Sequence, residues 1–193
     1  MLIHPFLDGF LEAGCDEAGR GCLAGPVVAA AVILPDIKIP EFIADSKILS
    51  FQQRLQAAQW IKANAVAFSI SYCDVEEIEK YNILWASVKA MHQALDSLSV
   101  NPSRIIVDGN KFQSWKGVPY FVVPKGDQKI ATVAAASILA KVYRDELMDE
   151  LHYQHPIYKW NKNKGYSTID HIKAIKKWGT TPHHRKKFVE KIQ

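Results

Sequence analysis

Phe10-Leu11-Glu12-Ala13-Gly14-Cys15-Asp16-Glu17-Ala18-Gly19-Arg20-Gly21-Cys22-Leu23-Ala24-Gly25-Pro26-Val27-Val28-Ala29-Ala30-Ala31-Val32-Ile33-Leu34 sets two apolar runs on either side of a glycine-rich turn. The runs, Phe10 to Ala13 and Val27 to Leu34, read as neighbouring buried strands. The adjacent carboxylates Asp16 and Glu17 open the turn where a sheet presents residues to a cleft, and core formation gives no reason to put them there. Successive strand residues point to opposite faces, so both acids serve one site only if the strand ends or bulges here, as Gly19 and Gly21 allow. Two like charges side by side call for a cation, and a metal site is the natural expectation.

Working outward, strands alternate with helices. Asp45-Ser46-Lys47 lies in a loop, Ser50 caps a helix through about Ala63, and Ala65 to Tyr72 alternates like a strand. Asp74 with Glu77 forms a capping box that starts helical segments running to about Leu98, Asn82 opening the second of them. Arg104 to Asp108 is a short buried strand turned by Asp108-Gly109-Asn110, and Tyr120 to Val123 is another, ended by Pro124. An alanine-rich helix follows from Ile130 to about Tyr153, where Ala134, Ala135 and Ala136 permit close packing on a sheet. Ser167 or Thr168 caps a last clear helix ending near Gly179. The pattern predicts a single α/β domain over 1–193 with a helical basic C-terminal extension over about 155–193.

Length and composition agree: 193 residues, 48% hydrophobic and 23% charged, suit one domain with a full core and no need of disulfides. Cys15, Cys22 and Cys73 lack C-x-x-C spacing, which argues for a reducing compartment and against structural zinc. The stretch Met1 to Phe10 lacks a basic leader and no apolar run is long enough to span a bilayer, so a cytoplasmic chain is expected. The net charge of +4 is unevenly placed. From Lys159 onward ten basic residues face only Asp170 and Glu190, and Trp160, Tyr166 and Trp178 interleave with them. That combination points to a polyanion, and nucleic acid is the leading partner.

Asp108 and Asp127 occupy the same kind of place as the first pair, a strand end followed by a turn. Singly, each reads as a turn or cap residue. Four carboxylates at one sheet edge would raise one another's pKa values unless divalent cations held them, and all-oxygen ligands favour Mg²⁺ or Mn²⁺. Two such ions can activate a water and stabilise a leaving oxygen at a phosphodiester. Two other readings compete. An α/β nucleotide-binding protein could use Gly19 to Gly25 as a phosphate loop, although the third glycine misses G-x-G-x-x-G by one place. A non-catalytic nucleic-acid module explains the basic stripe but not the four acids. The histidines form no H-E-x-x-H, and His152 with His155 reads as decoration of a helix end.

Cys15-Asp16-Glu17-Ala18-Gly19-Arg20-Gly21, followed by Leu23-Ala24-Gly25-Pro26-Val27-Val28, resembles the signature of bacterial ribonuclease HII. Asp45-Ser46-Lys47, Asn82-Ile83-Leu84, Asp108-Gly109-Asn110, Lys125-Gly126-Asp127, Ala135-Ala136-Ser137 through Arg144-Asp145, Lys164-Gly165-Tyr166 and His184-Arg185 follow in the family's order. The resemblance implies a ribonuclease H-like fold, a central mixed sheet flanked by helices. It implies cleavage of the RNA strand of RNA–DNA hybrids, and nicking of duplex DNA at embedded ribonucleotides, by a monomer using Mn²⁺ or Mg²⁺. Asp16, Glu17, Asp108 and Asp127 match the metal-binding catalytic acids. Gly19, Arg20 and Gly21 resemble the loop that reads the ribose 2′-hydroxyl through its backbone, Tyr166 the tyrosine that packs on the sugar at the deoxyribonucleotide side, and Lys47 and Arg185 phosphate contacts. Ser137, Lys141 and Arg144 could also reach phosphates, but core packing and solvated charge explain that helix nearly as well.

The chain departs from the family at Cys22, where proline is common, at Ile48, where a second lysine often stands, and at Thr180 to His183. None of these removes a metal ligand; they bear on substrate affinity and on the conformation of the tail. The stretch before Asp16 is shorter than the extra N-terminal domain of ribonuclease HIII, which favours the shorter type.

Overall fold

The computed structural model describes Leu2 and residues 10–192; apart from Leu2 and Phe10, the stretch read as lacking a leader lies outside them. Five strands make one sheet in the order β3-β2-β1-β4-β5. They are β1 (Glu12–Ala18), β2 (Val27–Ile33), β3 (Ala67–Cys73), β4 (Arg104–Asp108) and β5 (Tyr120–Val123). β2 is antiparallel to both neighbours, whereas β1, β4 and β5 run parallel. The sheet is therefore mixed and flanked by helices, the ribonuclease H-like arrangement that the motifs imply.

β2 organises the core because it is buried on both faces. Val27, Ala29, Ala31 and Ile33 pack with Ala86, Ala90, Met91, Ala94 and Leu95 of α2 (Val75–Asp96). Val28, Ala30, Val32 and Leu34 pack with Ala57, Ala58 and Ile61 of α1 (Phe51–Asn64) and with the alanines of α3 (Ala131–Gln154). Two-residue alternation thus splits one apolar run between two layers. The small side chains let α3 approach closely. At Gly14 a Cβ would lie 2.2 Å from the carbonyl carbon of Thr132, so only glycine admits the start of α3 there.

Local signals place the helix starts. Ser50 with Gln53, and Asp74 with Glu77, form complete capping boxes. At Asn82 (φ 63°, ψ 165°) α2 breaks, and the Asn82 side chain accepts from the N–H groups of Leu84 and Trp85, opening the second segment as the sequence predicts. Beyond α3, three more helices follow: α4 (Trp160–Asn163), α5 (Ile169–Trp178, capped by Thr168) and α6 (Lys186–Val189). Of these only α5 is legible in the sequence. The segment has its own apolar cluster, in which Tyr158, Trp160, Ile175 and Val189 pack on Leu23, Ala24 and Met148.

One boundary differs in a way that matters. β1 does not end before the acids but runs through Asp16 and Glu17 to Ala18, paired on one side with β2 (Asp16 opposite Ala30, Glu17 opposite Ala29). Its ladder with β4 stops at Cys15 opposite Val107. The acids stay in a strand because β2 continues to bond them, and they become available to a site because β4 does not.

Candidate active site and its overhanging loop

In the parallel pair, Cys15 is opposite Val107, so Asp16 and Asp108 come next on neighbouring strands, at the end where both chains leave the sheet. Glu17 follows on the other face of β1, with Arg20 Nη1 3.1 Å from its Oε1. Asp127 arrives from the 3-10 turn Gly126–Gln128 ahead of α3. That turn is bound to β4, because the Gly126 N–H donates to Asp108 Oδ1 at 2.7 Å. Asp16 is 4% exposed and Asp127 1%. The Glu17 N–H donates to Asp16 Oδ1 at 2.7 Å, and the Ser137 hydroxyl of α3, 3.0 Å from the Ser46 hydroxyl, lies nearby and lowers the pKa of the Asp16 carboxyl against burial.

The acids are electrostatically coupled. Burial pushes the Asp16 carboxyl well above its ordinary value, and the charges of Glu17 and Asp108 add to the shift. Burial raises Glu17 against the opposing charge of Arg20. Burial raises Asp108 too, opposed by the Gly126 N–H and reinforced by Asp127. Lys47 Nζ reaches Asp127 Oδ2 at 2.8 Å. Its loop is held by Asp45, which accepts from the Lys47 N–H and from Gln128 Nε2. Among the described residues no three of His, Cys, Asp and Glu form a ready-made metal cage. The donor chemistry nevertheless fits hard divalent cations: the groups are all carboxylates, desolvated and mutually repelling, and added positive charge would relieve them.

Beside the acids runs the Gly19 to Pro26 loop. It joins β1 to antiparallel β2 and opens no helix, so the phosphate-loop reading lacks the helix N-terminus on which such loops depend. Two fully buried arginines hold it. Arg144 of α3 donates to the carbonyls of Ala24, Pro26 and Lys164, and Arg185 to those of Arg20, Gly25 and Pro26, at 2.8–3.1 Å. A Cβ on Gly19 (φ 95°) would lie 1.9 Å from Arg144 Nε, so the loop rests on that guanidinium. Leu23 N–H bonds the Gly165 carbonyl and Arg185 N–H the Leu23 carbonyl, tying the C-terminal segment to the loop. A Cβ on Gly21, by contrast, would meet nothing within 4 Å. The fold does not need a glycine there, and the loop offers bare backbone to whatever approaches.

Of the residues singled out in the sequence, Asp16, Glu17, Asp108, Asp127 and Lys47 gather at the strand ends. Gly19, Arg20, Gly21 and Tyr166 gather on and beside the loop, Tyr166 partly exposed beside Cys22. Arg185 is placed differently: its side chain is 0% exposed and its guanidinium is spent on loop carbonyls, so it holds the loop and does not face outward. Arg144 is likewise internal. Its position seven residues after Ser137, on the buried stripe of α3, was the signal for that. Cys22 donates its thiol to the Lys164 carbonyl at 3.7 Å, so the departure from the family's proline links the loop to the Tyr166 segment.

The family profile described as ribonuclease HII matches residues 13–191. Ribonuclease HII of Bacteroides thetaiotaomicron is 50% identical over 188 residues, covering 97% of this chain and 94% of that protein. That of Phocaeicola vulgatus is 49% identical with the same coverage. Among solved structures, ribonuclease H2 from Pyrococcus horikoshii OT3 aligns with a TM-score of 0.77 and 26% identity, over 94% of this chain and 96% of that one. RNase HII of Archaeoglobus fulgidus, solved in complex with PCNA, gives 0.72 and 25%, over 91% and 93%. Bst-RNase HIII, solved in complex with Mn²⁺, shares the fold at 0.69 and 18%, over 94% and 69%. With the motifs assembled at one sheet edge and the match extending along nearly the whole chain, the chain belongs to the ribonuclease HII family of metal-dependent endoribonucleases.

Proposed function

We propose that this protein hydrolyses the RNA strand of RNA–DNA hybrids and nicks duplex DNA 5′ of embedded ribonucleotides, leaving 5′-phosphate and 3′-hydroxyl ends. The observation that carries the reading is the convergence of desolvated, mutually repelling carboxylates at the ends of β1 and β4 beside a loop of bare backbone. Asp16, Glu17, Asp108 and Asp127 are the groups that would hold Mn²⁺ or Mg²⁺. Two such ions, when bound, activate the attacking water and stabilise the leaving oxygen.

The chain's own residues do the rest. Gly19 and Gly21 let the backbone approach the ribose 2′-hydroxyl, which alone distinguishes RNA from DNA at that position. Tyr166 supplies a face for the neighbouring sugar. Lys47 offers its ammonium to a phosphate when it leaves Asp127, and Arg185 keeps the loop in the shape that reads the sugar. Residues 155–193 serve as a substrate-binding extension. The basic residues of that segment support this role, and so does its own apolar cluster, which seats it on the loop. Among the described residues no helix is long and apolar enough to cross a membrane, and Cys15, Cys22 and Cys73 are free and buried. The free, buried thiols are what a reducing compartment such as the cytoplasm would keep, and we read the chain as a monomer there.

The test is cleavage of a duplex carrying one ribonucleotide, with Mn²⁺, with Mg²⁺ and with chelator, by the native chain and by Asp108→Asn. A metal-dependent nick 5′ of the ribonucleotide, abolished in the variant while the duplex still binds, is the expected result. Absence of nicking on this duplex and on a long hybrid would overturn the proposal.

A further inference from the structure

The C-terminal segment is built around two histidines that the reaction does not use. His171 of α5 and His184 are both buried, their Nε2 atoms 3.2 Å apart. Groups at each end that can only donate or only accept decide where the protons lie. The Trp160 indole N–H donates to His171 Nε2 at 3.0 Å, so that nitrogen is an acceptor. His171 Nδ1 is 2.9 Å from the Tyr166 carbonyl, so that nitrogen carries the proton. The Thr181 N–H donates to His184 Nδ1 at 2.9 Å, which leaves the His184 proton on Nε2, facing His171. One directed chain results, from the Thr181 N–H through His184 and His171 to the Tyr166 carbonyl.

This pattern of donors and acceptors requires both imidazoles to be neutral. A proton added at His184 Nδ1 would face the Thr181 N–H, with only the Thr181 hydroxyl, 3.1 Å away, able to turn and accept it, and one added at His171 Nε2 would face both the Trp160 and the His184 N–H groups. Among the described residues the surroundings supply no counter-charge. The end of α3 brings His155, the 156–163 stretch brings the rings of Tyr158 and Trp160, and the 180–185 segment brings His183 and Thr181. Asp170, next to His171 in sequence, is exposed and paired with Lys159. Burial depresses His171, and depresses His184 to about 4 with the neighbouring histidines adding to it. The chain ends at the segment that meets the loop. Gly165 accepts from Leu23, Ala24 bridges to His184, and Arg185 follows directly.

We propose that His171 and His184 are positioning residues for the ribonucleotide-reading surface: as a neutral, directed pair they hold the backbone of Tyr166 against the Gly19 to Pro26 loop, and a proton taken up by the pair releases it. The inference rests on the reading of Tyr166 as a contact to the substrate sugar. It adds a group that acts from behind Tyr166, away from the acids, with its own pH response.

Two measurements test it. Long-range ¹H–¹⁵N spectra of the labelled full-length protein should show His171 as the Nδ1–H tautomer and His184 as the Nε2–H tautomer, both still neutral at about pH 5.5, where a free imidazole is mostly charged. Either opposite tautomer, or an imidazolium at that pH, overturns the proposal even if every variant misfolds. In cleavage assays His171→Leu should lower the rate on a single-ribonucleotide duplex relative to a long hybrid by about tenfold, the loss of one positioning hydrogen bond. His171→Asn, whose amide can still donate to the Tyr166 carbonyl, should recover most of that loss. An unchanged ratio in a folded His171→Leu, while Tyr166→Ala lowers it, refutes the positioning role alone. An unchanged ratio in Tyr166→Ala refutes the reading of Tyr166 on which it stands.

Discussion

Replacing Asp16 by asparagine should make the metal-free protein more stable while abolishing its chemistry. The Asp16 carboxylate is buried beside Glu17 and Asp108, and all three circumstances oppose its charge. Asparagine keeps an Oδ1 that can accept from the Glu17 N–H, 2.7 Å away in the native chain, and removes the charge. Each pKa unit of upward shift corresponds to about 1.4 kcal/mol held against the ionised form, so the upward direction of the shift makes the uncharged variant the more stable at neutral pH. For a chain of this size each 1 kcal/mol gained raises Tm by about 2–4 °C. Thermal unfolding in chelator reads that rise directly. Adding Mn²⁺ should then stabilise the native chain, by about 2.7 kcal/mol at a hundredfold excess over Kd, and Asp16→Asn much less. Cleavage by the variant should fall at least about 10²-fold, since metal-held charge stabilisation is worth several kcal/mol. A variant that melts below the native chain in chelator, or that responds to Mn²⁺ as the native chain does, would refute the reasoning.

Gly21→Ala should leave Tm within about 1 °C, because its Cβ meets nothing, yet lower cleavage by about tenfold or more by blocking backbone approach. Gly14→Ala, whose Cβ would strike the backbone of Thr132, should cost about 2–4 kcal/mol in a denaturant titration. Lys47→Met removes the cation at Asp127, so calorimetry should find Mn²⁺ bound more tightly without substrate, while KM for the hybrid rises. Acid should destabilise the chain through His184. The imidazole stays neutral in the fold to about 4 but titrates near 6.5 when unfolded, so the unfolded state takes up the proton first. Stability then falls by up to about 1.4 kcal/mol per pH unit between those values as pH drops; urea midpoints across that range should show a slope that His184→Asn reduces.

The elements whose signals are local were legible in the residues themselves. The run Val27 to Leu34 is continuous and apolar in the sequence, and the capping residues Ser50, Asp74 and Thr168 and the break at Asn82 bond N–H groups two or three positions on, so pattern and spacing suffice to find them. The acids were legible too, because four carboxylates at strand ends have no folding purpose. The end of β1 was misplaced since a strand's length depends on which neighbours continue to bond it, and those neighbours, β2 and β4, stop at different points. Arg144 and Arg185 read as surface charges or phosphate contacts, for a cation's partners are not visible in composition, and here they are backbone carbonyls up to 165 residues away.

By itself, then, the sequence determined the α/β class, the alternation that buries β2 on both faces, the motifs that name the family, and the four acids proposed to hold its metal ions. Only the tertiary structure decided which acids lie side by side, that the two arginines turn inward to hold the loop, and that His171 and His184 join into one directed chain behind Tyr166. The physical reason is the same in each case. Local propensity and periodicity are properties of neighbouring residues, whereas register, burial and the sharing of a hydrogen bond depend on which distant segments the packing brings together.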